Sequence, residues 1–156
     1  PKIIVGLVVV AVLGPSLTVL IVMTGTVYSG GVFRIARALA RDVVGLDYVR
    51  AATARGEGKL HIMMREILPN ILSPLAVDFA LRVSFAILFI SSLGFLGLGV
   101  QPPKADWGTL VHDNISGLSS GSLAAIWPAL AIASVTISLN YLVDTLSLAG
   151  EKGRKQ

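Results

Sequence analysis

Residues 48–70 read YVRAATARGEGKLHIMMREILPN. The stretch is basic, alanine-rich and helical in pattern, and it lies between segments apolar enough to sit in lipid. A charged insert of this length between membrane spans is a handle for something in the aqueous phase. Alanines such as Ala51 and Ala52 make a slim helix that another protein can approach closely, and Gly56 permits a sharp change of direction between two helices. Pro69, in the closing Leu68-Pro69, is suited to begin the next helix. Two readings fit this spacing equally well: a helix–turn–helix docking knob, or an amphipathic connector held on the lipid surface by its basic residues.

The rest of the chain supplies the context. Of its 156 residues, 54% are hydrophobic and 14% charged, and the mean hydropathy is +0.78. That balance, with the apolar residues gathered in long runs, points to a bilayer rather than a soluble core. With no cysteine there is no disulfide framework and no thiolate metal site. The net charge of +4 falls beside apolar spans, which favours control of membrane topology over a nucleic-acid partner.

Residues 3–33 form one apolar stretch of roughly 45 Å if helical, too long for a single span of about 30 Å. Gly14-Pro15 breaks it, with Pro15 placed to open a new helix. The expectation is an all-α, polytopic membrane domain over 1–156, starting inside a span and belonging to a longer protein. Spans are expected at 3–13, 16–40, 70–93 and 125–148. An aqueous segment with two short helices covers 42–69, a Gly/Pro/Ser-rich loop with one short helix near Trp107 covers 94–124, and 150–156 is a polar tail.

Lysine and arginine placement sets the orientation. Arg34, Arg37, Arg41, Arg50, Arg55, Lys59 and Arg65 fall in 34–69, and Lys152, Arg154 and Lys155 in the tail. The 94–124 loop holds only Lys104. The positive-inside rule therefore places 42–69 and the C-terminus in the cytoplasm and 94–124 outside.

AAxxxG followed at a distance by LP resembles the cytoplasmic EAA loop of ABC-importer permeases, the binding-protein-dependent transport family. RIAR (34–37), YVRAATARG (48–56), ILPNILSPL (67–75), GFLGLGVQPP (94–103) and DWG (106–108) narrow the resemblance. Together they are similar to the C-type permease of dipeptide, oligopeptide, nickel and glutathione importers, in order and spacing over nearly the whole chain. Arg50 stands where the motif has its glutamate, and Glu66 where the peptide branch commonly has histidine. LSLAGEKGRKQ replaces the usual tail. These departures bear on which partner the loop fits.

The resemblance implies a permease helical bundle with cytoplasmic coupling helices, in the plasma (inner) membrane of a prokaryote. A second permease subunit completes the path as a heterodimer. Two ATPase subunits grip the EAA loops, and an extracytoplasmic binding protein delivers the cargo, a di- or oligopeptide or else nickel, glutathione or another small solute. Tyr48, Arg50, Ala51, Ala52, Gly56, Glu66, Leu68 and Pro69 would carry the coupling. The chain has no G-x-x-x-x-G-K-[ST], so ATP chemistry and its cofactors are expected on a separate chain.

Asp78 and Arg82 lie one turn apart, near mid-membrane. They read as a path-lining pair for charged substrate ends or as an ion pair at a helix contact. Asn140 and Asp144 read as polar glue between helices ahead of a substrate site. Gly97, Gly99, Pro102, Pro103, Trp107 and Gly108 are candidates for an outer gate or a binding-protein contact, the paired prolines setting a rigid extended turn. Trp107 also fits a plain interfacial anchor. GLSSG (117–121) reads as flexible linker. His61 and His112 fall on opposite sides of the membrane, so no metal site is expected, and no catalytic set appears. A membrane-integral enzyme is thus disfavoured. A non-transporting scaffold whose handle binds lipid or a partner remains the alternative of another class.

Overall fold

Long apolar runs in hydrocarbon must satisfy their backbone groups internally, and the described residues of this chain do so by helices alone. The computed structural model describes residues 1–153, with no strand among them. Arg154 and Lys155 of the polar tail lie outside the described residues. Helices α1 (Lys2–Leu13), α2 (Leu17–Val44), α3 (Asp47–Ala54), α4 (Lys59–Ile62), α5 (Leu68–Leu93), α6 (Trp107–Asn114) and α7 (Ile126–Gly153) follow in order. Among the described residues, three helical runs are long and apolar enough to cross a membrane: Leu17–Val44, Lys59–Leu98 and Ile126–Val143. Their outward residues, such as Ile21, Phe79 and Ile137, are large and apolar. That is the pattern for a surface bathed in lipid.

The break at Gly14-Pro15 occurs as expected, with Gly14 at φ 84°. Pro15 does not open α2, however. Ser16 intervenes, and its Oγ accepts from the Val19 N–H at 3.2 Å. A serine cap satisfies a donor that the first turn would otherwise leave orphaned, so the helix starts after it.

Pro69 does not begin a helix either. The run starts at Lys59 and passes through Pro69 by way of a π turn at Met63–Ile67. The Leu68 N–H donates to the Met63 carbonyl, five residues back. A wider turn just ahead of the proline accommodates a residue that has no N–H to give and whose ring would crowd an α turn. Asn70 Nδ2 also donates to the Glu66 carbonyl at 2.7 Å.

Contacts gather in two units, one built from Pro1–Tyr28 and Arg82–Tyr141, the other from Ser29–Leu81 and the chain from Leu142 onward. In the first, Val10 of α1, Leu20 and Met23 of α2, and Phe89 and Leu93 of α5 form a buried cluster. Gly6 is what lets α1 come so close, since a Cβ there would stand 2.9 Å from the Phe89 ring. Tyr28 meets Phe89 edge-on and donates its hydroxyl to the Phe85 carbonyl at 3.1 Å. In the second unit, Val49, Ala52 and Ile62 are buried together, with Val43 and Ile67 packed against them.

Candidate functional site

The basic segment folds as a helical hairpin. Asp47 lies in the first turn of α3, where a negative charge complements the helix dipole. The helix is closed by a pair of reaching bonds: the Gly56 N–H to the Thr53 carbonyl at 3.0 Å and the Glu57 N–H to the Ala52 carbonyl at 3.2 Å. This Schellman closure needs a left-handed residue after the cap, and Gly56 supplies it at φ 80°. The chain then turns into α4.

The two alanines of the motif part company here. Ala52 is fully buried (0% exposed) between Val49 and Ile62, where its small side chain permits the helices to approach. Ala51 is exposed, beside Tyr48 and Arg50. A surface role therefore falls on Ala51 and a packing role on Ala52. Beyond the turn, Leu60 (68% exposed), Met63 and Met64 face outward with Lys59 and Arg65. The outer surface is thus basic and apolar together.

Glu57 is half-buried at the tip. Its Oε1 accepts from Arg55 Nε at 2.9 Å and Nη2 at 2.7 Å. Its Oε2 has no hydrogen bond, and His61 Nε2 stands 3.7 Å away, within ion-pair range for a protonated ring but too far for a bond. Glu66 is half-buried in the π turn, with Leu68 and Pro69 following at the start of α5.

The glycine-rich loop is built differently. Helix α5 runs into a second π turn at Gly94–Leu98, where Gly97 turns left-handed at φ 80°. Asp106 caps α6 and gathers the loop. Its Oδ1 accepts from the Thr109 N–H at 2.9 Å, and its Oδ2 from the Thr109 hydroxyl at 2.7 Å and the Val100 N–H at 3.1 Å. Gly94 and Gly99 press against that carboxylate so closely that a Cβ on either would overlap it. Gly108 sits under the Ser91 carbonyl, with no room for a Cβ. His112 Nδ1 bonds the Phe95 carbonyl at 2.7 Å, its ring edge-on to Phe95. Trp107 is 42% exposed. The Pro102–Pro103 peptide is cis, where the sequence led to an extended turn. GLSSG, read as flexible linker, lies largely within a 3-10 helix at Ile115–Ser120.

The structure therefore draws Gly99 and Gly108 into one clasp centred on Asp106 of the DWG stretch, with His112 beside it and with two residues that sequence reasoning did not single out, Gly94 and Thr109. A signal for Asp106 as a helix cap was present, since Asp is among the residues favoured just before a helix. Pro102, Pro103 and Trp107 stay at the surface. Asp78 and Arg82 are half-buried on α5, and each takes part in an interaction. Asn140 is half-buried on α7, while the side chain of Asp144 lies outside the described ones. Among the described residues, no group of three or more metal-ligating side chains is assembled.

The model of the family described as "Binding-protein-dependent transport system inner membrane component" matches residues 1–155. The chain is 36% identical over 156 residues to the "Dipeptide transport system permease protein DppC" of Escherichia coli (strain K12), covering 100% of this chain and 52% of that one. It is 34% identical over 146 residues to the "Di/tripeptide transport system permease protein DppC" of Pseudomonas aeruginosa (strain UCBPP-PA14), covering 94% and 48%. A third relative, the "Dipeptide transport system permease protein DppC" of Haemophilus influenzae (strain ATCC 51907 / DSM 11121 / KW20 / Rd), is 33% identical over 156 residues, covering 100% and 53%. The chain spans about half the length of these curated relatives.

Proposed function

The chain belongs to the family of binding-protein-dependent transport system inner membrane components, and from that premise we propose that it is part of the permease subunit of an ATP-driven importer of di- or oligopeptides. The hairpin of α3 and α4 is the cytoplasmic element gripped by a separate ATPase, and the 94–124 loop faces the other side, toward a binding protein. A second permease subunit completes the path, and two ATPase subunits supply the energy. This chain's own work is mechanical, with no catalytic group and no resident cofactor.

The observation that carries the reading is the junction between hairpin and span. Lys59–Leu98 is one helical run of 40 residues, about twice what a bilayer core needs. Its first turns, through Ile62, form half of the hairpin's core. The hairpin and the helix as far as Leu81 belong to one compact unit, which supports a push on the hairpin being passed into the start of that membrane helix. Tyr48, Arg50 and Ala51 offer the exposed face, Ala52 and Gly56 set the hairpin's shape, and Glu66, Leu68 and Pro69 lie at the transfer point. Asp78, Arg82, Asn140 and Asp144 are assigned to the path or to helix packing along it. The peptide cargo rests on the names of the relatives.

The test is a single cysteine at Ala51, which is exposed, in a cysteine-free version of the full-length protein, cross-linked in native membranes. Capture of an ATPase subunit with a yield that changes on adding ATP is the expected result. An accessible thiol that captures no ATPase under either condition would overturn the coupling assignment. It would leave the scaffold reading in front.

A further inference from the structure

The last turns of α2 carry three arginines that neither the hairpin nor the glycine loop uses. Arg34, Arg37 and Arg41 are spaced i, i+3, i+7, which at about 100° per residue confines them to one strip of the helix some 60° wide. All three are exposed. No hydrogen bond or ion pair holds any of them among the described residues. Val32, Ala36, Leu39 and Val43 lie on the far side of the helix and are half-buried, with Val43 packed against the hairpin core. Asp42, the nearest acidic residue in sequence, projects about 100° away from the centre of the arginine strip.

Depth identifies the ligand. From Leu17 to Phe33 the helix carries no charged residue, a length of about 25 Å, close to the thickness of a hydrocarbon core. The arginines follow within the next 10 Å or so, which is the headgroup layer. Phe33 flanks the strip and is exposed, so the same turns present an apolar side chain toward the lipid boundary. At that depth the abundant anion is the lipid phosphate, and guanidinium matches its geometry with paired donors.

We infer that Arg34, Arg37 and Arg41 form a binding strip for anionic phospholipid headgroups. The strip grips the leaflet on one side of α2 while Val43 supports the hairpin on the other. Bound lipid thereby fixes the base on which the hairpin stands. Simple bias of topology by basic residues requires no such strip, since it depends on the number of charges and not on the helix face they share.

The experiment uses the full-length protein in nanodiscs of phosphatidylcholine mixed with phosphatidylglycerol, reading retained lipid by native mass spectrometry. Wild type is expected to retain phosphatidylglycerol preferentially. The preference should fall by about fivefold for each arginine removed in the series ending at R34Q/R37Q/R41Q. R34K/R37K/R41K, which keeps the charge, should retain much of it. R50Q/R55Q/R65Q removes the same charge from the hairpin and should leave it nearly intact. An equal loss in the two triple glutamine variants, or no preference in wild type, would overturn the proposal. A spin label at Ala38→Cys, exposed beside the strip, gives a reading that does not depend on the arginine variants folding. A label at headgroup depth supports the strip, whereas one shielded by protein or in bulk water overturns it.

Discussion

The hairpin at 47–67 and the glycine loop at 94–114 hold their shapes by opposite means. The hairpin has three buried apolar side chains, Val49, Ala52 and Ile62, a helix closure made by backbone bonds, and a partly exposed ion pair at its tip. Around Gly56 a Cβ would meet nothing within 4 Å. The loop has a half-buried carboxylate with three bonds and three glycines pressed against carboxylate or backbone. The first is a small body with free surface, suited to being gripped and moved. The second is specified nearly atom by atom, suited to staying fixed while other parts move. Each can be tested by asking how much disturbance it tolerates.

The largest expected effect is at Gly108. A methyl group there meets the Ser91 carbonyl and carbon, which are backbone and cannot rotate away. Gly108→Ala should destabilise the loop by about 3 kcal/mol, the upper part of the range for overpacking. Thermal unfolding of the full-length protein in detergent, with proteolysis of the 94–124 region, measures it. Gly56→Ala is the matched change in the hairpin. It should cost about 1 kcal/mol, because only the left-handed backbone opposes it and space does not. If the two changes cost the same, crowding does not distinguish the regions.

Next comes Asp106→Ala. It leaves the Val100 and Thr109 N–H groups without their acceptor and removes the cap of α6, for a loss of about 2 kcal/mol. Asp106→Asn should fall between, since one amide oxygen can still accept from Thr109 while the NH₂ cannot accept from Val100. Amide exchange should rise at Val100 and through the first turn of α6 in both, more in the alanine variant.

Much of the fold was legible in the sequence because membrane helices announce themselves by apolar length. The break at Gly14-Pro15 was also visible, from its breakers, and a short helix near Trp107 was expected within the loop. What failed depended on facts that local pattern does not carry. Pro69 is a sound helix starter by rule, but a π turn absorbs it, and π turns have no reliable sequence mark. Ala51 and Ala52 are identical letters, and only the phase set by Val49 and Ile62 decides which one is buried. The prolines at 102 and 103 show no more in sequence than that a turn is stiff. Asp106 stood in the quoted DWG stretch, but nothing in the sequence marked it as the centre of a clasp. That role depends on Gly94 and Gly99 arriving beside it from across the loop, a tertiary fact.

The hairpin core gives a smaller effect than the clasp. Ala52→Leu forces three extra carbons between α3 and α4 and should cost about 1–2 kcal/mol, while Ala51→Leu, at the exposed position next door, should lie within about 0.5 kcal/mol. The readouts then separate. Ala52→Leu should raise amide exchange throughout 47–62. Ala51→Leu should leave exchange unchanged and, under the proposed function, lower the ATP-dependent transport of the assembled system by blocking the docking face. If Ala51→Leu left transport intact, the partner's approach would have to be assigned to Tyr48 and Arg50 or to the methionine-bearing side.

The smallest change sharpens the comparison most, because it sets one carboxylate against another. Glu57 and Asp106 each accept several hydrogen bonds. Asp106 takes two of its three from backbone N–H groups that have no other partner within the clasp. Glu57 takes both of its bonds from Arg55, whose side chain is 60% exposed and finds water readily when released. Glu57→Gln should therefore change stability by less than about 1 kcal/mol, the range for a pair that water reaches on one side, with exchange at 47–62 unaltered. A loss as large as that of Asp106→Ala would mean that the hairpin tip is also clasped by its charges. The idea of a freely gripped body would then give way to one whose ion pairs must open before a partner can dock.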